Sequence, residues 1–303
     1  MGSSEHAKGV FYSLLAGFMW SVLAIALKVS LHGFSSESIV WIRFIVAFIF
    51  LLAILIYLKR PLFKLFRKPP LHLVVASAAL GLNYYGFMKG VELTTPAIAQ
   101  VFIQLGPVLF ALAGIILFRE KIQGLQVLGF SLALLGLGLF YWENFREMSN
   151  PKSFTVGVIW TVVAAIAWAI YAIYQKRLAN LHSTNQLNLF IYAFCALIFT
   201  PFINVHEFSG ISFPMWILVV FLGLNTLIAY GAIALAFRHL EANKVSVIVT
   251  LNPVVTFIIM YFLEVFNVQW IKPEHFSVAT IVGASLALAG AIIVILFSKK
   301  REY

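Results

Sequence analysis

The feature that most restricts the fold of this sequence is a series of ten apolar runs, each close to 20 residues long. A helix of about 20 residues crosses the roughly 30 Å hydrocarbon core of a bilayer. Because lipid offers the backbone no hydrogen-bonding partners, each run is predicted to be a transmembrane helix. The predicted spans are residues 9–29, 38–58, 71–91, 96–118, 123–141, 156–174, 186–203, 215–237, 245–265 and 276–297.

Composition agrees with this prediction and excludes a soluble domain. Hydrophobic residues make up 62% of the 303 residues and charged residues only 11%, less than half of the roughly 25% that is usual in globular proteins. If the N-terminus is cytoplasmic, 15 of the 21 lysines and arginines fall in cytoplasmic segments and five on the opposite side. This positive-inside bias predicts a multi-pass protein of the bacterial inner membrane with both termini in the cytoplasm.

The net charge of +10 is therefore interpreted as a topology signal. A nucleic-acid partner is not expected, because the cations are divided among six short segments and do not form one basic face. The single cysteine, Cys195, lies within the seventh span and has no second thiol with which to form a disulfide.

The two halves of the chain repeat the same segments in the same order. The matched segments are GVFYSLLAGFMW at 9–20 with GVIWTVVAAIAW at 157–168, LGLN at 80–83 with LGLN at 222–225, QLGPV at 104–108 with TLNPV at 250–254, and GFSLALLG at 129–136 with GASLALAG at 283–290. Such self-similarity at a nearly constant offset indicates a duplicated unit of five helices. The repeated glycine and alanine positions in the last pair predict close helix packing.

Five is an odd number of membrane crossings, so the second unit must enter the membrane from the side opposite to the first. Residues 1–145 and 146–303 are therefore predicted to be two five-helix repeats with inverted orientation. The fold class that follows is an all-α membrane protein of ten transmembrane helices. Inverted repeats are typical of secondary transporters, whose substrate site lies near the mid-plane between the repeats.

The sequence resembles the drug/metabolite transporter superfamily in its ten-helix EamA-type form. The resemblance rests on Trp20, on WIRF with Arg43, on the GPV…FRE stretch from Pro107 to Glu120, and on the closing glycine-spaced segment of each half. It covers nearly the whole chain. It implies export or exchange of amino acids and similar small metabolites through a central cavity formed largely by helices 1, 3, 4, 6, 8 and 9.

Helices 4 and 9 carry matched polar residues. Gln100 and Gln104 lie four residues apart and therefore on one helix face, and at an offset of 146 they align with Ser246 and Thr250. Together with Asn252 they are candidates for substrate binding at the centre of the bundle. Hydrogen bonding between helices would also explain such residues in a membrane protein.

A proline follows each polar pair. Pro107 and Pro253 remove a backbone donor and are expected to kink helices 4 and 9, freeing the carbonyls of Ile103 and Val249. Because a free carbonyl needs a partner in lipid, both kinks are expected to face protein or a water-filled cavity.

Aromatic residues in the middle of the predicted spans are candidates for a wall against a flat or apolar substrate. They lie away from the interfaces where aromatic belts occur, and each combines an apolar face with a polar tip. The candidates are Trp20, Tyr84, Trp168, Tyr171 and Tyr230. Packing alone is the alternative. Asn83 and Asn225, the repeated asparagines of LGLN, either line the same cavity or bond to backbone within the fold.

Two cations stand apart from the loop charges. Lys89, near the end of helix 3, could bind a substrate carboxylate, or it could extend to water or pair with Glu92. Arg43 lies a few residues into helix 2, where pairing with a carbonyl or with Glu37 is favoured over contact with substrate.

The sequence offers no support for an enzyme. There is no aspartate, and all 11 acidic residues are glutamates near helix ends or in loops, so the buried carboxylate typical of proton-coupled exporters of cationic drugs is not evident. No nucleotide-binding loop, metal-ligand cluster, cofactor motif or nucleophile–base pair is found. No metal or cofactor is therefore predicted.

These observations predict a carrier that moves a small neutral or zwitterionic metabolite, in the first place an amino acid, by alternating access. The expected partners are this small-molecule substrate and the lipid bilayer. One chain already holds both repeats, so a monomer suffices, and an oligomer is left open. The alternatives are exchange of a larger nucleoside-like metabolite, which the aromatic wall would also fit, and a channel.

Overall fold

The computed structural model describes residues 3–59, 64–118, 123–147, 150–179, 181–239, 245, 248–271 and 277–297, and the regular structure of these residues is entirely helical. The helices are α1 (Ser3–Ser30), α2 (Ser36–Tyr57), α3 (Lys64–Arg67), α4 (Leu71–Leu93), α5 (Pro96–Phe102), α6 (Leu105–Phe118), α7 (Gly124–Glu147), α8 (Pro151–Ala179), α9 (Thr184–Phe199), α10 (Phe213–His239), α11 (Asn252–Val265) and α12 (Val278–Leu296). Two short 3-10 segments, Thr200–Phe202 and Val205–Phe208, follow α9.

The predicted membrane helices are confirmed. Within the described ranges, nine helical segments are long and apolar enough to cross a bilayer, and one of them, Ile248–Val265, includes the turn at Leu251. The remaining predicted span, 96–118, is divided into α5 and α6. Some helices extend beyond the predicted spans, because a helix continues past its apolar residues into the polar interface. The division of the chain after residue 145 falls in the last turn of α7, which ends at Glu147, and this division stays a prediction.

Helix starts follow ordinary capping chemistry. The side chain of Ser35 accepts a hydrogen bond from the amide of Ser38 at the start of α2, and Ser183 and Ser277 act in the same way before α9 and α12. Thr95 caps α5, with a proline following it in the first turn. These residues satisfy amides that have no partner within the helix.

The last helices of the two repeats, α7 and α12, pack closely and run antiparallel. A Cβ atom added to Gly129 would lie 2.9 Å from the carbonyl oxygen of Gly290, and one added to Gly136 would lie 2.7 Å from that of Gly283. Residue numbers thus rise along α7 as they fall along α12. Because the two helices are equivalent in sequence, the repeats are inverted. The predicted stripe of small residues is the contact surface between them.

The other contacts between repeats are reciprocal. The third transmembrane helix of each repeat packs against the first helix of the other, so α4 contacts α8 and α10 contacts α1. The repeated asparagines join these pairs: Asn83 Nδ2 donates to the carbonyl of Ala164 at 2.9 Å, and Asn225 Nδ2 donates to that of Met19 at 2.8 Å. Both asparagines therefore bond to backbone, which was one of the two roles that the sequence left open.

Among the described residues the apolar core has four clusters, of which two hold most of the buried side chains. The larger part lies mainly among α1, α2, α4, α9 and α10, and a smaller part lies among α5, α7, α8 and α12. Ala99 belongs to the first part and its neighbour Ile98 to the second. The short helix α5 therefore lies between the two cores, and this places the break that follows it in the interior of the bundle.

Candidate functional site

The fourth span is interrupted between α5 and α6, at the place where the sequence predicts a kink before Pro107. The amide of Gln104 donates to the carbonyl of Val101 at 3.2 Å, and the amide of Gly106 donates to that of Ile103 at 2.9 Å. These bonds join residues three apart, which tightens the chain where one helix ends and the next begins. The carbonyl of Ile103 was expected to be free, and this expectation is wrong because Gly106 supplies its partner.

The ninth span breaks in the matching place. Residues 248–250 are helical, Leu251 is a turn, and α11 starts at Asn252 with Pro253 in its first turn. The amide of Leu251 donates to Ile248 at 3.3 Å, again over three residues. Amides in a first helical turn have no partner within the helix. Pro107, the third residue of α6, and Pro253 therefore fit without loss of a helical hydrogen bond and begin new helices.

The two breaks contact each other. Gln104 Nε2 donates to Asn252 Oδ1 at 2.8 Å and lies 3.3 Å from the carbonyl of Gln100. The first transmembrane helix joins both breaks, since Gln100 Nε2 donates to the carbonyl of Trp20 at 2.6 Å and Ser21 Oγ donates to that of Asn252 at 2.9 Å. Two residues that the duplicated sequence placed 148 positions apart thus meet between the repeats, and we call this the break contact.

The other candidates of the fourth, sixth and ninth spans lie near these breaks or cannot be placed. Thr250 is 1% exposed and immediately precedes the second break. Trp168 packs against the first break, because a Cβ atom on Gly106 would lie 3.1 Å from its ring. Ser246 lies outside the described residues.

Four of the five aromatic candidates form one cluster. The ring of Trp20 meets that of Tyr230 edge-on at 5.9 Å, and Tyr171 meets Tyr230 in the same way at 6.3 Å. The side chain of Tyr84 lies near that of Tyr230. The Trp20 carbonyl also accepts from Gln100, which lies one turn before Gln104. Trp20 therefore links the aromatic cluster to the break contact. Trp168 is the exception and packs on α6.

Sequence reasoning left Arg43 out of the site. Its side chain is 3% exposed, its Nη2 lies 3.4 Å from Thr226 Oγ1, and its Cζ lies 4.1 Å from the centre of the Tyr84 ring. The expected pairing with Glu37 does not form. Glu37 instead accepts from the Tyr85 hydroxyl at 2.8 Å and lies near Lys89. The WIRF segment was the available signal, but sequence alone did not place it against Tyr84.

Lys89 lies apart from this centre. Its Nζ is 2.8 Å from Glu92 and 3.6 Å from Glu37, which matches the ion pair that the sequence offered as one alternative. With Glu207 these residues line a cavity of about 350 Å³ where α1 ends and α2 begins. A second, apolar cavity of about 360 Å³ lies against Trp41 and Trp216. Neither cavity is lined by the break contact or the aromatic cluster.

One carboxylate at the rim of the polar cavity has a shifted pKa. Burial raises the pKa of Glu207, but the hydrogen bonds that it accepts from the amide of Ser35 and from neighbouring side chains outweigh burial and hold the pKa below its usual value. Its Oε2 lies 2.9 Å from the Ser35 amide and 3.0 Å from the Ser35 hydroxyl. Glu207 therefore fixes the residue that caps α2.

The break contact and the aromatic cluster are closed to solvent in this structure. Gln100, Gln104 and Asn252 are 2%, 7% and 6% exposed, and Tyr230 is 9% exposed. The cluster offers amide groups, hydroxyls and aromatic faces. Within the part of the chain that is described, no three histidine, cysteine or acidic side chains are close enough to hold a metal ion. The arrangement suits a small organic molecule held by hydrogen bonds and ring contacts.

Comparison with known proteins gives the class to which this arrangement belongs. The model of the family described as "EamA-like transporter family" matches residues 7–142 and 155–296, one match in each half. The chain belongs to the EamA-like transporter family. It is therefore a membrane transporter for small molecules, as the resemblance of its motifs implied.

Two relatives are similar to this EamA-like transporter in sequence, and one solved structure is similar to it in fold. The "Uncharacterized inner membrane transporter YhbE" of Escherichia coli (strain K12) is 32% identical over 293 residues, which cover 94% of this chain and 90% of that protein. The "Probable amino-acid metabolite efflux pump" of the same organism is 23% identical and covers 80% of this chain and 82% of the pump. A crystal structure with 20% identity aligns with a TM-score of 0.66 over 98% of this chain and 100% of that one, which shows the shared fold.

Proposed function

We propose that this EamA-like transporter is a secondary carrier for a small neutral or zwitterionic metabolite, with an amino acid as the first candidate. The observation that carries the proposal is the break contact, in which Gln104 and Asn252 meet at 2.8 Å. In secondary transporters with inverted repeats, discontinuous helices near the mid-plane form the substrate site. The proposed substrate-binding residues are therefore those of the break contact and the adjoining aromatic cluster.

The chemistry of the centre supports an amino acid as the cargo. The rings of Trp20 and Tyr171 each meet that of Tyr230, and the backbone carbonyl of Trp20 accepts from the amide group of Gln100. Rings of this kind suit an apolar side chain, and the amides suit the polar end of a small metabolite. One relative carries the name of an amino-acid metabolite efflux pump, which supports the same class of cargo.

Transport requires that the closed centre opens to each side in turn. Because the repeats are inverted and equivalent, the rearrangement that opens one side has a counterpart that opens the other. We propose that the Gln104–Asn252 hydrogen bond breaks and re-forms in this cycle, since it joins the two breaks directly. The cargo would shift the equilibrium by binding one state more tightly than the other.

Counterflow in proteoliposomes tests the proposed function. Vesicles with the purified full chain are loaded with one unlabelled L-amino acid at a time and given the labelled form outside. We expect transient, saturable accumulation for at least one amino acid and none in protein-free vesicles. Adenosine in the same assay tests the nucleoside-like alternative. Accumulation of adenosine alone would overturn the choice of cargo, and single-channel currents would overturn the carrier mechanism.

The polar residues beside the breaks give a sharper prediction. Replacing Gln104 with leucine and Thr250 with valine together is expected to lower counterflow at least about tenfold, since a lost hydrogen bond to cargo is worth roughly 1 kcal/mol or more per site. The matched control is Gln269→Leu with Ser131→Val, which likewise replaces one glutamine and one hydroxyl residue, but at exposed positions. Size-exclusion chromatography checks that both variants fold. Unchanged flux in the first variant would remove these residues from the site.

We also propose that both termini face the cytoplasm, in line with the charge bias. In a chain whose only cysteine, Cys195, is changed to serine, Ser209→Cys is expected to react with an impermeant maleimide on intact bacteria, and Lys68→Cys only after the membrane is opened. Both positions are exposed in the structure. The reverse labelling pattern would place the termini outside.

A further inference from the structure

We infer that Arg43 is the binding site for a carboxylate of the cargo, and that the bound carboxylate is the counter-ion that this buried guanidinium lacks. The inference rests on the proposed function and narrows it to metabolites that carry a single carboxylate. The sequence analysis favoured a structural partner for Arg43.

The positive charge of Arg43 lies at depth within a membrane-spanning helix. Arg43 is the eighth residue of α2, so it lies roughly 10 Å along the helix from its start. It is 3% exposed, which removes the possibility that its guanidinium reaches water. A charged side chain at membrane depth is energetically costly, and such residues usually mark a substrate or ion pathway.

The side chains in contact with the Arg43 guanidinium are neutral. The contacts of the guanidinium are the hydroxyl of Thr226, at 3.4 Å, and the ring of Tyr84, at 4.1 Å. Its Nε has no hydrogen-bond partner among the described residues. Within the same residues no salt bridge involves Arg43, and the ion pairs of Glu37 and Glu92 are with Lys89. The positive charge is therefore not compensated by an acidic side chain in this part of the chain.

A carboxylate has the chemistry that a buried guanidinium requires of a partner. A guanidinium presents its N–H groups in a planar fork that matches the two oxygens of a carboxylate. One carboxylate supplies the single negative charge that pairs with the guanidinium, whereas a doubly charged phosphate would bring one negative charge more than the guanidinium compensates. The unpaired Nε supplies a donor that is ready for such an anion.

Arg43 lies next to the proposed cargo site. The ring of Tyr84 lies against the guanidinium, and the Tyr84 side chain is also near Tyr230 of the aromatic cluster. Tyr192 is 1% exposed, and its hydroxyl has no partner among the described residues. Tyr192 is close enough to Arg43 for an electrostatic interaction, so a carboxylate on Arg43 would have aromatic side chains on one side and could reach this hydroxyl. This order of groups fits an amino acid with an apolar side chain.

Binding to the unmodified protein is the first test. Purified full-length protein is titrated with each L-amino acid and with its amide, and the dissociation constants are compared. We expect acids to bind at least about 30-fold more tightly than the amides, because truncating one partner of a buried charge pair costs 2–5 kcal/mol. Inorganic phosphate is expected to bind more weakly than the best amino acid.

Arg43→Gln is the second test, with Arg146→Gln, at an exposed arginine of α7, as the matched control. Arg43→Gln is expected to bring the ratio of acid to amide affinity close to one, and the control to leave it unchanged. The melting temperature of ligand-free Arg43→Gln should equal or exceed that of the parent protein, because an uncompensated charge has been removed. A purely structural arginine would give a lower melting temperature and an unchanged ratio.

The outcomes separate the two proposals. If acids and amides bind the parent protein equally, or if Arg43→Gln keeps the ratio, the carboxylate site is overturned while the carrier proposal stands. If counterflow occurs only with adenosine and no amino acid binds, the proposed cargo and the carboxylate site both fail. Should Arg43→Gln not fold, Arg43→Lys and the acid–amide comparison on the parent protein still decide the question.

Discussion

Gly136→Val is expected to prevent stable folding, whereas Gly138→Val, two residues further along the same helix, is expected to be tolerated. A Cβ atom on Gly136 would lie 2.3 Å from the amide nitrogen of Ala287 in α12. Backbone cannot yield as a flexible side chain does, so α7 and α12 would have to separate. The cost should exceed the 1–3 kcal/mol or so that is typical of overpacked cores. A Cβ on Gly138 meets nothing within 4 Å.

Thermal unfolding in detergent measures the difference. Cys195 is the only cysteine of the sequence and is 1% exposed, so a thiol-reactive dye reports unfolding. Gly290→Val should behave like Gly136→Val, because its Cβ would lie 2.3 Å from the amide of Ala133. Equal melting temperatures for Gly136→Val and Gly138→Val would contradict the close approach of the two helices.

Lys28→Met is expected to destabilise the protein by about 3–5 kcal/mol. Lys28 Nζ donates to the carbonyls of Val91, Glu92 and Thr94 at 2.8 Å, 2.9 Å and 2.8 Å. The last carbonyls of a helix have no partner within it and carry partial negative charge. One lysine therefore holds the end of α4 against α1. Its removal leaves several partly buried acceptors without a charged donor, each worth roughly 1–3 kcal/mol.

Lys152→Met is the matched control, since Lys152 is exposed at the start of α8, and it should change the melting temperature little. Lys28→Arg keeps the charge and is expected to retain part of the stability. The same dye assay compares the variants. A melting temperature for Lys28→Met equal to that of the control would show that water replaces the lysine at these carbonyls.

Among all positions, the repeated ones were those about which the sequence alone predicted most. Gln104 was singled out with Gln100 on one face of helix 4, and Asn252 as the residue before Pro253, and the structure places Gln104 and Asn252 in direct contact. The glycines of GFSLALLG and GASLALAG were assigned to packing, and they form the contact of α7 with α12. Duplication makes such pairs readable, because inverted repeats bring equivalent segments together at the interface between them.

Single residues without a repeat partner were harder to place. Lys28 was read only as a charge on one side of the membrane, and Arg43 was expected to pair with a carbonyl or with Glu37. Their partners come from other helices: α4 for Lys28, and Tyr84 and Thr226 for Arg43. The periodicity of a helix gives the face on which a residue lies but not the helix that this face meets.

The sequence by itself determined the helical membrane fold, the duplication and the inversion. Apolar length, the requirement that backbone be satisfied in lipid and an odd number of crossings leave few other solutions. The tertiary structure alone decided that the two prolines start new helices and that Gln104 meets Asn252. It also decided that Arg43 is buried, with no acidic partner among the residues that the structure describes. These features depend on contacts between residues far apart in the chain, and such contacts are fixed by the packing of whole helices.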